Sequence, residues 1–118
     1  MKIYISGAIT GTSDAVERFE RWEAFLKECG WDVVNPCKIC GSIAHWKHEQ
    51  IMKVCFVLMG ECDAVCFMPE WEKSLGANQE YGYALGTDKI ILKPSDFDSL
   101  ADLKCPGVVA DKVTVGSG

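Results

Sequence analysis

The sequence predicts an α/β fold in three layers, with helices on both faces of a mostly parallel sheet of four to five strands. Short β-branched segments alternate with helical segments along the chain. Such alternation favours right-handed crossovers between parallel strands, as in flavodoxin-like and Rossmann-like folds. The length of 118 residues, with 48% hydrophobic and 25% charged residues, fits one globular domain over residues 1–118.

The first strand and the first helix are marked by β-branched residues, a cap and glycines. Residues 2–6 predict a strand that Gly7 interrupts. Ser13 or Asp14 caps a helix that ends at Gly30. The apolar residues of this helix recur at helical intervals and are Val16, Phe19, Trp22, Phe25 and Leu26.

The next segment predicts a strand, a loop and a second helix. Residues 31–35 form the strand, and Pro36 terminates it. A loop with two cysteines leads to a helix over about residues 45–60. The apolar residues expected to face inward on this helix are Ile51, Val54, Cys55, Leu58 and Met59.

The third helix lies between the last two strands of the predicted sheet. Leu75, Ala84 and Leu85 are expected to face inward, and Gly76 and Gly82 allow close backbone approach. The helix is predicted over residues 74–86, and the strands before and after it over residues 63–68 and 89–92. In the tail we expect a helical turn within residues 96–103, an edge strand over residues 108–115 and a frayed end over residues 116–118.

Charge and hydropathy exclude several classes of partner. The net charge is -5 and there is no basic cluster, which argues against binding a nucleic-acid polymer. A small nucleoside or nucleotide needs only a few local donors and remains possible. The apolar segments are too short to span a bilayer, and the first residues lack a signal-peptide layout. We therefore expect a cytoplasmic protein with no membrane partner.

The seven cysteines indicate reduced thiols, because a secreted disulfide framework usually has an even number. A zinc site is an alternative that the sequence leaves open. Its four candidate ligands are Cys37, Cys40, His45 and His48. Such a structural metal protein is the third of three functional hypotheses.

Glu80 is the candidate functional residue that the sequence places best. It lies in the helix that follows the third strand, and ligands bind at the carboxyl edge of open α/β sheets. Ser74, just before this helix, is a natural N-cap, and the amide groups beside it can receive an anion.

Four stretches of the chain resemble a known family. They are Tyr4-Ile5-Ser6-Gly7-Ala8-Ile9-Thr10-Gly11, Asn35-Pro36, Cys62-Asp63-Ala64-Val65 and residues 71–84. These stretches resemble the nucleoside 2-deoxyribosyltransferase superfamily, in particular its small, DUF4406-like members of unassigned function. Gly76-x-x-x-Glu80-x-Gly82-x-Ala84 is the most specific element.

This resemblance implies cleavage of the N-glycosidic bond, or base exchange, on a deoxynucleoside or its 5′-monophosphate. Glu80 becomes the nucleophile that traps an oxocarbenium-like sugar, and Tyr4 orients its carboxylate. Ser74 resembles the serine of monophosphate hydrolases. Trp71 either stacks on a base or sugar, or forms a hydrophobic staple or a subunit contact. The implied substrate-binding residues are Ser6, Gly7, Asp63, Trp71, Ser74 and Gly76. Asp63 has the alternative role of anchoring local backbone N–H groups.

The chain departs from the family pattern at two places. Ala8 and Thr10 replace a serine and an arginine of the first loop, which removes a cationic phosphate partner. Cys55 falls where the family carries a second carboxylate, and a thiol is a poor acid for protonating the leaving base. Glu70 and Glu72 are other acids that remain nearby. A module that binds a nucleotide without turnover is therefore the alternative function.

The resemblance also implies that the protein assembles as a homo-oligomer, a dimer or larger. Large apolar side chains expected near helix surfaces support this, namely Trp22, Trp46 and Phe56. Carboxylate nucleophile chemistry requires no metal or organic cofactor, so we expect none.

Overall fold

The computed structural model describes residues 1–9 and 12–96, in which four parallel strands form one sheet flanked by helices. The strands are β1 (Lys2–Ser6), β2 (Asp32–Val34), β3 (Ala64–Phe67) and β4 (Ile90–Leu92). The helices are α1 (Ala15–Glu28), α2 (Pro36–Ile39), α3 (His48–Gly60) and α4 (Leu75–Gly86). Short 3₁₀ turns lie at Gly41–Ile43, Trp71–Lys73 and Pro94–Asp96. The predicted three-layer α/β fold is confirmed.

Some predicted features cannot be compared with the structure. The edge strand over residues 108–115, the frayed end and all but the first residue of the turn over residues 96–103 lie outside the described residues, as do Thr10 and Gly11. Within the described ranges, no helix combines the length and the apolar character needed to cross a bilayer.

The strand order β2-β1-β3-β4 places a crevice at the carboxyl edge of the sheet. The chain passes from β1 to β2 on one side, and β3 then pairs with the other side of β1. The connections that follow β1 and β3 therefore diverge at this edge. In open α/β sheets this switch point is where ligands bind.

Two hydrophobic clusters fill the faces of the sheet because successive strand residues point to opposite sides. On one face Ile3 and Ile5 of β1 pack in a cluster with Phe19 and Leu26 of α1. On the other face Tyr4 belongs to a cluster formed with residues of α3 and α4. The Tyr4 side chain on β1 therefore packs against α3 and α4, the helices that carry the candidate site.

The inward face of α4 differs from the prediction. Leu75 and Leu85 are 67% and 54% exposed, so the prediction that they face inward was wrong. Ala84 is buried as predicted, together with Ala77 and Glu80. These three positions are three and four residues apart and share one helix face. Small residues thus face the sheet, and the carboxylate occupies a position that an apolar side chain would normally take.

The first helix shows a similar difference at its start. Val16 is 60% exposed, and Ala15 takes the buried position beside Phe19, Trp22 and Leu26. The prediction for Val16 was wrong because the buried stripe begins one residue earlier. Gly30 ends this segment with a positive φ of 95°, as expected for glycine after a helix.

The segment between β2 and α3 is more helical than predicted. Pro36 terminates the strand but also begins α2, and the Asn35 side chain caps this helix by accepting from Lys38 N–H. The second long helix begins at His48 rather than near residue 45, and Lys47 is its N-cap. The residues that this helix buries are Met52, Cys55 and Met59, while Ile51, Val54 and Leu58 are partly buried.

Candidate active site around Glu80

Glu80 is a buried carboxylate whose two oxygens are both held by β1. Its side chain is 5% exposed. Ser6 Oγ donates a hydrogen bond to Oε1 at 2.6 Å, and the Tyr4 hydroxyl donates to Oε2. Tyr4 and Ser6 are two residues apart in β1, so both side chains point to the face that α4 covers. The predicted pairing of Tyr4 with Glu80 is confirmed, whereas the structure gives Ser6 the role of a partner of Glu80.

The environment of this carboxylate opposes its ionisation. Burial raises the pKa of Glu80 above its usual value of 4.5, and the hydrogen bonds from Ser6 and Tyr4 offset part of that rise. Burial, followed by the charge of Glu80, raises the pKa of the Tyr4 phenol well above its usual value. The phenol therefore stays protonated and acts as a donor to the carboxylate.

A cavity of about 90 Å³ lies beside Glu80. Its lining includes Tyr4, Gly7, Cys55 and Gly76. The volume is well below the roughly 300–1,000 Å³ of pockets that enclose drug-sized ligands. It therefore has room only for the portion of a ligand that lies next to the carboxylate.

Cys55 lies in the lining of this cavity. Burial raises the pKa of the Cys55 thiol to about 12, and the charge of Glu80 adds to that rise. Cys40 is buried in the same cluster and the pKa of its thiol is also raised by burial. At neutral pH both groups are thiols, which are weak acids.

His48 also lines the cavity, a placement that the sequence analysis missed. Its Nε2 lies 3.1 Å from Oε1 of Gln79 on α4. The spacing of His48, Met52 and Cys55, four and three residues apart, places them on one helix face and was the signal available in the sequence.

Two predicted substrate-binding residues lie elsewhere. Asp63 precedes β3, at the amino edge of the sheet, and its carboxylate accepts the backbone N–H of Lys2 at 2.9 Å. The substrate-binding prediction for Asp63 was therefore wrong, and its anchoring alternative is confirmed. Trp71 is 7% exposed, and its ring packs against Phe67 and Tyr81. The indole is therefore part of the core, while the staple and the subunit contact stay predictions.

The remaining predicted residues surround the entrance to α4 and the end of β1. Ser74 is the N-cap of α4, and its Oγ accepts the Ala77 N–H at 3.2 Å, as predicted. Gly7 and Gly76 line the cavity. A Cβ on Gly7 would lie 2.4 Å from Met68 Cε, so the absence of a side chain lets this strand end pass close to β3.

A larger cleft of about 560 Å³ lies on the α1 side of the same sheet edge. Arg18 lines it, donating to the backbone oxygen of Ala8 at 2.8 Å and to Asp14 Oδ1 at 3.0 Å. Lys73 lines it as well and pairs with Glu70 at 2.6 Å. This cleft is larger, but its lining does not include Glu80, Tyr4 or Ser6. The buried carboxylate of Glu80 lines the smaller cavity instead.

The zinc alternative lacks a ligand set among residues 1–9 and 12–96, where no three His, Cys, Asp or Glu side chains are placed to hold a metal ion. Cys37, Cys40, Cys55, Cys62 and Cys66 in these ranges are free thiols. Cys40 instead packs in the cluster beneath the candidate site.

Comparison with known proteins identifies one family. The model of a family described as "Domain of unknown function (DUF4406)" matches residues 1–93. No curated protein and no solved structure matches the chain. The match extends from β1 through β4 and includes every residue of the Glu80 site.

Proposed function

This chain belongs to the DUF4406 family, and we propose that it cleaves or exchanges the N-glycosidic bond of a deoxynucleoside or deoxynucleoside 5′-monophosphate. The proposal includes a relationship to the nucleoside 2-deoxyribosyltransferase superfamily, which the sequence motifs around Tyr4 and Glu80 resemble. It also places the protein in the cytoplasm, which the free cysteines favour.

The observation that carries this proposal is the buried Glu80 carboxylate, held by Tyr4 and Ser6 next to a cavity at the switch point of the sheet. One carboxylate oxygen attacks C1′ of the sugar, and the C1′–N bond breaks with its electron pair leaving on the base. Water, or a second base, then displaces the ester and restores Glu80. Two donors fixed on one strand hold the carboxylate in position throughout.

The 5′-monophosphate is the favoured form of the substrate because the sheet edge offers positive groups near the site. The N-terminus of α4, capped by Ser74, attracts an anion through its amide groups. Arg18 places a cation beside the first loop, where it lines the neighbouring cleft and pairs with Asp14, whereas the loop itself has Thr10 where the family carries an arginine.

A nucleotide-binding module without turnover is the second candidate function, and Cys55 is the observation that favours it. A thiol with a pKa of about 12 is a weaker acid than the carboxyl group that the family pattern requires. Ligand binding would then be retained while departure of the base is slow.

A homo-oligomer is also part of the proposal. The cavity beside Glu80 is too small to enclose a whole nucleotide. A neighbouring subunit that covers this edge of the sheet completes the enclosure.

Base release measured by chromatography tests the proposed function. The purified chain is incubated with each deoxynucleoside and each 5′-monophosphate, alongside Glu80→Ala and the exposed control Glu72→Ala. We expect free base from the natural chain and from Glu72→Ala, and none from Glu80→Ala. Tight binding without release by the natural chain supports the module, and neither binding nor release refutes both functions.

A further inference from the structure

His48 offers an imidazole to the cavity that contains Glu80, and we infer that it is the general acid that protonates the departing base. This inference rests on the proposed function and identifies its second catalytic residue. His48 lies at the first position of α3, and Glu80 lies on α4. Two different helices therefore present an acid and a nucleophile to one cavity.

Other acids near the site are weak or lie outside the cavity. The Tyr4 phenol and the Cys55 thiol line the cavity, but burial makes both weaker acids than in water. Glu70 lines the larger cleft instead, and its carboxylate pairs with Lys73. Among the described residues of the lining, this leaves the His48 imidazole as the candidate proton donor besides Glu80.

The imidazole of His48 lies close to the helix that carries Glu80. A Cβ built on Gly76 would lie 3.5 Å from His48 Cε1, so the ring lies over the first turn of α4. Gly76 and Glu80 are four residues apart on one helix face, about 6 Å along the axis. His48 and Glu80 therefore line the same cavity, one beside the first turn of α4 and the other about one turn further along that helix.

The hydrogen bond to Gln79 orients this ring. Nε2 of His48 lies 3.1 Å from Gln79 Oε1. In the inferred mechanism Nε2 donates to this oxygen, and the proton that is transferred is the one on Nδ1. Gln79 precedes Glu80 in α4, so the same helix positions the nucleophile and the ring of the acid.

The proton and electron changes balance over two steps. In the first, Glu80 forms a C–O bond to C1′, the C1′–N bond breaks, and Nδ1–H of the imidazolium protonates the base. The base leaves neutral, and the imidazole is neutral. In the second, the imidazole takes a proton from water as the water oxygen bonds to C1′, and the ester electron pair returns to the Glu80 carboxylate.

A substrate that needs no protonation tests this role. The base of a 7-methylguanine deoxynucleotide already carries a positive charge and leaves as a neutral molecule, whereas guanine requires a proton. We compare the natural chain, His48→Gln and the control His45→Gln on both nucleotides. Both histidines are exposed, but His45 lies outside the cavity lining.

We expect His48→Gln to slow release of guanine by roughly 10²–10⁴-fold, the usual contribution of general acid catalysis, and to slow release of 7-methylguanine only a few-fold. His45→Gln should match the natural chain on both substrates. Equal slowing of both substrates by His48→Gln, or of neither, overturns the role of His48 and leaves the function of Glu80 intact. If the natural chain releases neither base, or Glu80→Ala releases both, the proposed function fails and this inference fails with it.

Discussion

At the residue scale, Glu80 occupies a position where a helix packed on a sheet normally places an apolar side chain. Burying an ionised carboxylate is costly unless hydrogen bonds compensate. Tyr4 and Ser6 supply one donor to each oxygen, and no buried side-chain nitrogen or oxygen lacks a partner within the described ranges. The buried position of Glu80 therefore depends on the hydrogen bonds that Tyr4 and Ser6 donate.

Replacing Tyr4 by phenylalanine removes one of the two donors. We expect Tyr4→Phe to lower the free energy of unfolding by about 1.5–3 kcal/mol, because Glu80 Oε2 is left buried without a donor. Urea unfolding at neutral pH measures this change. Tyr83→Phe is the control, since the Tyr83 ring stacks on Phe56 and this packing survives loss of the hydroxyl. An equal loss in both variants would show that the bond to Glu80 contributes little.

The pH dependence of stability is a second consequence of burying Glu80. The folded-state pKa of Glu80 is raised, so the folded chain binds its proton more tightly than the unfolded chain. The stability that this proton contributes is complete below about pH 4.5 and is lost as the pH rises through the folded-state pKa. The loss amounts to about 1.4 kcal/mol for each unit by which the pKa is raised.

Glu80→Gln removes this titration while keeping the side-chain shape. We expect the free energy of unfolding of Glu80→Gln, relative to the natural chain, to increase from pH 4.5 to pH 8. Urea unfolding at intervals across this range gives the difference directly. If the two free energies of unfolding differ by the same amount at every pH, the Glu80 carboxylate titrates alike in the folded and unfolded states.

At the element scale, the glycines of α4 have different roles although they lie in one motif. Gly82 is exposed and a Cβ on it would meet no atom within 4 Å, so the predicted close approach at Gly82 is wrong. A Cβ on Gly76 would lie 3.3 Å from Met52 Sδ, which confirms the close approach there. The helix touches α3 at one of the two positions only.

Alanine substitution separates these two glycines. We expect Gly82→Ala to raise the free energy of unfolding by about 0.5–1 kcal/mol, because alanine has less backbone freedom to lose in a helix. Gly76→Ala should gain less or lose stability, because the new methyl group crowds Met52 and the His48 ring. Denaturant midpoints of the two variants test this, and equal gains would contradict the contact at Gly76.

At the scale of the whole molecule, several apolar side chains remain exposed on the helices. Of the three aromatic residues expected at helix surfaces, Trp22 is buried, Phe56 stacks on Tyr83, and Trp46 is 44% exposed. Large exposed apolar side chains on α3 and α4 are Val57, Leu75 and Leu85. Surface of this kind is commonly covered when subunits associate.

Light scattering tests the proposed association. We expect a mass at least twice that of one chain for the natural protein, because association removes apolar surface from water. The combined variant Val57→Ser, Leu75→Ser and Leu85→Ser should shift the mass towards one chain, while Val16→Ser on α1 should not. A natural protein with the mass of one chain at micromolar concentration would refute the homo-oligomer.

Much of the fold was predictable because its signals are local. Lys2–Ser6 was predicted with its observed bounds, since its β-branched residues and Gly7 lie together in the chain. Ser74 was predicted as a cap for the same reason. The 3₁₀ turn at Gly41–Ile43 and the later start of α3 were not predicted, because weak local preferences there are decided by contacts with the rest of the molecule.

By itself, the sequence determined the order of the strands and the three long helices, the parallel sheet and the choice of Glu80 and Tyr4, because periodicity, caps and motifs are written along the chain. Only the tertiary structure decided that Ser6 binds Glu80, that Asp63 lies at the opposite edge of the sheet and that His48 faces the cavity. Each of these depends on which strands are neighbours and how each helix is rotated on the sheet. The physical reason is that residues more than 30 positions apart meet only once packing has set strand order and helix rotation.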